Sequence, residues 1–227
     1  MIEWHKDRMW YQDTDLKLFG INVGVRMVII RLRDQRLFIH SPVELTPCLK
    51  EKLKQMGDIA AVVTPNPHHH LYLGDWWRSY PDAQFFAPPT LESKRTDINF
   101  DGALGGRHTP DIWRNDIYQT RLLGSDSLGE VVFCDPQSET LILGDSLAWI
   151  HGPGLSQRLA GIMSGCYFSP SVPFQVKRLF DDPVRLRQSL SEILTWPFDK
   201  ILTSHGSPIE KNGKTAFAEA YRWAFRE

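Results

Sequence analysis

The order of apolar and polar positions divides the chain into short β-rich runs and amphipathic helices. Residues 23–32 are rich in β-branched residues and predict a strand, with Met27–Ile30 its longest apolar run. Arg33-Asp34-Gln35 is a turn, and Leu37–His40 predicts the returning strand of a hairpin. The period then changes. Leu49, Leu53 and Met56 recur at helical spacing, Thr46 can cap the start, Pro47 suits the first turn and Gly57 stops it. Ile59–Val63 predicts a short buried strand that runs into Thr64-Pro65-Asn66-Pro67-His68-His69-His70. Two prolines there deny the backbone helix and sheet hydrogen bonds, so this stretch is a loop.

Further strands are expected at Gln84–Ala87, 117–123, 130–134 and Thr140–Leu143, the last two as a hairpin, with a short helix from Gly74 to Tyr80 before them. Residues 151–176, rich in Gly, Pro and Ser, predict a long loop that serves as a lid or rim. Asp182-Pro183 opens a helix with Leu186, Leu190, Ile193 and Leu194 on one face. Lys200–Thr203 is one more strand, and a helix over 214–225 buries Phe217, Ala220, Tyr221 and Ala224. Helices punctuate the strands, which predicts one layered α/β or α+β domain over residues 1–227, with sheet inside and helices outside.

Composition narrows the functional classes. The 227 residues are 42% hydrophobic and 23% charged, which excludes disordered, collagenous and disulfide-scaffold chains. Lys and Arg number 26 against 27 Asp and Glu, so no broad charge draws the chain to nucleic acid or to a membrane surface, and neither partner is expected. Cys48, Cys134 and Cys166 are odd in number and form no C-x-x-C. With no apolar leader after Met1, they read as reduced thiols of a cytoplasmic protein.

Three polar groups follow apolar strands: His68-His69-His70, Asp145 and His205. Loops at strand ends are where sites are built, and imidazoles with a carboxylate suit zinc, iron or manganese. Each has a plainer reading: a solvated histidine run, a turn aspartate, a strand-end cap. Cys166 has no basic neighbour to favour a thiolate, and no Walker-type loop, G-x-G-x-x-G or G-x-S-x-G is present. Arg158 reads as solvated, Trp76 and Trp77 as core, and Glu130 as a surface or hairpin carboxylate; His40, His108 and His151 have no partner named by the sequence.

The ordered set Thr64-Pro65-Asn66-Pro67-His68-His69-His70, Gly124-Ser125-Asp126-Ser127, Leu143-Gly144-Asp145-Ser146 and Ser204-His205-Gly206 resembles the strand-end signatures of the metallo-β-lactamase fold. The resemblance spans nearly the whole chain and implies an αββα sandwich. Leu37-Phe38-Ile39-His40-Ser41-Pro42-Val43 and Ser138-Glu139-Thr140-Leu141-Ile142-Leu143-Gly144-Asp145 are most similar to its DUF4336 branch, with which no assigned reaction comes. The departures are specific. Pro65 and Pro67 stand where the first two histidines of the family motif belong, and Ser125 or Asp126 stands at the third, so the first metal site looks dismantled. The resemblance implies that His69, His70, Asp145 and His205 hold one divalent metal, zinc or iron, with His68 turned to solvent or pairing with His70 instead. It implies a mononuclear hydrolase of an unknown small molecule in which Asp145 both ligates and orients water. The alternative is a degenerate, non-catalytic member acting as a binding or scaffold protein. Mononuclear iron redox chemistry is a third reading, by analogy of fold.

Overall fold

The computed structural model describes residues 1–18, 21–106, 108–152 and 154–225. Its larger sheet orders seven strands as β1 (Ile2–His5), β2 (Met9–Thr14), β5 (Val25–Arg31), β6 (Leu37–His40), β7 (Ile59–Val63), β8 (Gln84–Ala87) and β9 (Gly102–Ala103). Pairing is antiparallel from β1 to β6 and parallel from β6 to β9. The second sheet orders β10 (Tyr118–Arg121), β11 (Val131–Asp135), β12 (Thr140–Leu143) and β13 (Lys200–Thr203), with only the β12–β13 pair parallel. β3 (Lys17–Leu18) and β4 (Ile21–Asn22) form a separate hairpin.

The two-residue period of the strands builds the layers. Phe38, Ala61 and Val63 of the first sheet meet Phe133, Ile142 and Leu202 of the second in a core between them. The alternate residues Ile29, Ile39 and Val62 face outward beneath α1 (Pro47–Met56) and α2 (Leu73–Ser79), against Leu49, Leu53 and Trp76. On the far side Leu141, Leu143 and Ile201 pack with Leu186, Leu190 and Ile193 of α6 (Pro183–Thr195) and Phe217 of α7 (Gly213–Ala220). The result is helix, sheet, sheet, helix: an αββα sandwich in one domain. Arg8 stitches it across chain-distant segments, with Nη2 2.6 Å from Asp135 Oδ1 and Nη1 3.1 Å from Asp116 Oδ1, all three residues buried.

Local chemistry sets the helix starts. The Thr46 hydroxyl accepts from Leu49 N at 3.2 Å, and Asp182 accepts from the Val184 and Arg185 amides. Two expectations differ from the structure. Residues 151–176 are not a continuous loop: they hold α4 (Leu155–Ser164) and the start of α5 (Phe174–Lys177). The helical repeat Leu155, Leu159, Ile162 was there, but these side chains are exposed, so it is not a core-facing stripe. The closing helix is also shorter, because α7 ends at Ala220 and a 3-10 turn, Arg222–Phe225, follows. A four-residue helix α3 (Pro89–Glu92) opens the other rim, 88–115. Arg107 and Pro153 of the two rims lie outside the described residues.

Candidate metal centre

Three chain-distant segments meet at one edge of the sandwich. β12 and β13 pair in parallel with Leu143 opposite Thr203, so Asp145 and His205 each sit two residues past the same rung. The loop after β7 brings His69 to them. Its shape follows from Asn66, whose side-chain carbonyl accepts from His68 N at 2.9 Å, and from Pro65, whose carbonyl accepts from Val131 N at 2.8 Å.

The geometry is convergent. Asp145 Oδ1 lies 3.1 Å from His69 Nε2 and 3.0 Å from His205 Nε2. One donor atom from each of the three residues falls within 4.8 Å of the others. Each ring is held by its second nitrogen. His205 Nδ1 donates to the Gly24 carbonyl at 2.6 Å, and His69 Nδ1 bonds the Ser41 hydroxyl. With Nδ1 committed, an Nε2–H facing Asp145 makes His205 an imidazolium, and loss of that proton leaves Nε2 as a bare donor. Burial alone would disfavour both charges. The His69 charge and the hydrogen bonds from His205 and His69 nevertheless hold the Asp145 carboxyl well below its usual range. For His205 too, burial is outweighed by the Asp145 carboxylate, and its pKa is raised.

A ring of supporting groups lies behind the three. Glu130, expected at the surface, is fully buried. Its carboxylate accepts from the backbone amides of Gly144, Asp145 and Ser146 at 3.0, 2.7 and 3.1 Å and from the Ser146 hydroxyl. Burial and the neighbouring Asp145 charge push its pKa up. The Asn66 amide bridges the acids, with Nδ2 3.3 Å from Glu130 Oε2 and 3.0 Å from Asp145 Oδ2. Arg26, also buried, donates to the carbonyls of Thr203 and Gly206 on either side of His205 and pairs with Asp13.

The structure thus brings together His69, Asp145 and His205 and leaves His70 outside the cluster. His70 Nδ1 faces Arg95 Nη1 at 3.2 Å, and burial and the Arg95 charge lower its pKa. His68 is exposed. Ser125 is buried and accepts from Leu128 N, whereas Asp126 pairs with Arg121. Trp76 is core, its indole donating to the Val43 carbonyl. His151 packs tilted against Trp149, and the Cys166 thiol is buried with its pKa pushed up. His40 is fully buried, with no hydrogen-bond partner on either ring nitrogen among the described residues, and burial drives its pKa down to about 3. Sequence reasoning missed Ser41, Asn66, Glu130 and Arg26 as supports. Arg26 carried a signal, since a cation in the middle of an otherwise apolar strand needs a partner.

The model for the domain of unknown function DUF4336 matches residues 6–154. The chain belongs to the DUF4336 family. The span matched holds His69 and Asp145 and stops before His205. A comparison with curated proteins gives no match. Among solved structures, this DUF4336 member is similar to a metallo-β-lactamase from Pontibacter korlensis, with TM-score 0.64 and 10% identity over 97% of this chain and 96% of that one. It is similar to a metallo-β-lactamase from Erythrobacter litoralis, with TM-score 0.63 and 11% identity over 96% and 93% of the two chains. It is also similar to the metal-soaked Flv1 flavodiiron core from Synechocystis sp. PCC6803, with TM-score 0.61 and 13% identity over 95% of this chain and 58% of that one. At such identities the likeness is one of fold: the DUF4336 member has the metallo-β-lactamase fold, with a His/Asp cluster able to hold a metal. None of its helices, among the described residues, is long and apolar enough to cross a membrane.

Proposed function

We propose that this DUF4336 member is a mononuclear, metal-dependent hydrolase of a small molecule, with His69, Asp145 and His205 as the ligands. The observation that carries the reading is the convergence of two Nε2 atoms on one carboxylate oxygen, with both Nδ1 atoms tethered elsewhere. Tethering of that kind orients imidazoles for a metal. Three donors suit zinc or iron and leave a coordination position free for exchange, which a catalytic centre requires. His70, expected as a fourth ligand, is not needed in this reading.

A divalent cation there supplies Lewis acidity and acidifies a water. The rest of the work belongs to the chain. Asn66 fixes the second oxygen of Asp145, and the carboxylate so held orients the attacking water. The Glu130 cradle sets the backbone from which Asp145 projects. Pro65 and Pro67 offer no side-chain donor atom and Asp126 is engaged by Arg121, which supports the loss of a first metal site.

A second reading, a non-catalytic binding protein, draws on the same contacts: Asp145 already satisfies both imidazoles without a cation. Elemental analysis of untagged protein separates the two. About one equivalent of zinc or iron is expected in the wild type and in His70→Ala, and its loss in His69→Ala, Asp145→Ala and His205→Ala. Absence of metal after dialysis against zinc and ferrous iron overturns the hydrolase and leaves the binding protein.

A further inference from the structure

We propose that the cleft above the three residues takes an uncharged, hydrocarbon-bearing acyl compound, an ester, thioester or amide rather than a phosphate or a carboxylate. The chemistry rests on the metal-dependent reading; the binding does not.

The cleft holds about 730 Å³, the size of a small-molecule site. His69, Asp145 and His205 form part of its lining, and the wall is mainly aliphatic, with Val23, Val25, Ile150, Val176 and Leu179 among its residues. Among the described residues, the lining contains no Lys and no Arg. The nearby cations are committed: Arg26 to Asp13 and two carbonyls, Arg95 to Asp97. The imidazoles of His69 and His205 are already paired with the Asp145 carboxylate. A phosphate or carboxylate entering here would lose its hydration without gaining a guanidinium or ammonium. An aliphatic chain loses nothing polar and covers the wall, while a single carbonyl reaches the polar floor.

The test uses N-phenyl-1-naphthylamine, an uncharged fluorophore, titrated into chelator-treated full-length protein. Saturable binding is expected, displaced by 1-dodecanol and not by AMP at equal concentration. Leu179→Glu and Leu71→Glu place a carboxylate in the lining at positions already open to solvent, and each is expected to weaken the probe about tenfold. Binding that ignores both glutamates, displacement by AMP, or no binding overturns the proposal even where metal is present. Binding that falls in Leu159→Ser instead places the probe on the exposed face of α4 and overturns it too. Dodecanol-displaceable binding by a protein that takes up no metal retains the uncharged, hydrocarbon-bearing ligand and removes the hydrolase, and with it the acyl chemistry.

Discussion

The amide of Asp145 donates to the buried carboxylate of Glu130 at 2.7 Å, so one acid sets where the other stands. Three successive amides, from Gly144 to Ser146, point at that carboxylate. A glutamine there would turn an NH2 group toward some of those N–H donors. Glu130→Gln is expected to lose about 3 kcal/mol of stability, as other broken buried networks do, and to reduce metal content with it. Urea unfolding reads the first and elemental analysis the second. An unchanged unfolding midpoint would deny Glu130 its structural role.

Arg26 uses a planar fork to grip the carbonyls flanking His205 while pairing with Asp13. Lysine keeps the charge but cannot make these contacts together. Arg26→Lys is expected to weaken metal retention by roughly 10- to 100-fold, the usual effect of losing support behind a ligand. Competition with a chromogenic chelator measures it.

His40 is buried without a hydrogen-bond partner among the described residues, its pKa pushed down to about 3 by burial first and the His69 charge next. The unfolded chain takes up a proton near pH 6.5 and the folded chain does not. Stability therefore stands in full above that pH and falls as the pH drops toward 3, by at most about 1.4 kcal/mol per unit. His40→Leu is expected to flatten this slope between pH 6.5 and pH 4.5. Denaturation midpoints compared across that window check it, and parallel curves for the two proteins would contradict it.

Gly206 sits at φ +82, and a Cβ there would lie 2.3 Å from the Trp149 carbonyl, which is backbone and cannot swing aside. Among the described residues, nothing lies within 4 Å of a Cβ placed on Gly106. Gly206→Ala is expected to lower the melting temperature and to loosen His205, while Gly106→Ala leaves both as they were. Thermal unfolding of the pair, alongside metal content, decides it.

Apolar runs with strong boundaries were legible from residues alone. Pro47–Met56 carries its own cap and stop, and Ile59–Val63 is bounded by the Pro-Asn-Pro loop. The layering needed the resemblance as well, because periodicity does not say which sheets stack. β1 and β2 escaped notice because their residues mix buried Met9 and Tyr11 with half-exposed Trp10 and Gln12, a partly solvated pattern. At the site, residue type pointed to histidine and aspartate, but spacing could not say which member of a histidine run turns inward. That choice depends on Asn66 and Ser41, whose contacts come from tertiary packing. Glu130 was read as a surface group because a strand-edge glutamate is usually solvated; three amides from a distant loop changed its environment.

The parallel pairing of β12 with β13 acts as a ruler. Asp145 and His205 are each separated from the last paired rung by a single residue, Gly144 and Ser204. Between the two strands the chain makes a long excursion through α4, α5 and α6, which supplies the cleft residues Val176 and Leu179. Substitution at exposed lining positions of that excursion, such as Leu179, leaves the two spacers, and with them both donors, where they are. A slip of one residue along β13 would instead turn His205 to the opposite face. In evolutionary terms the chain places its two strand-end donors and much of its pocket wall on different segments: drift at the exposed lining positions can retune the pocket, while the two spacers have no such latitude.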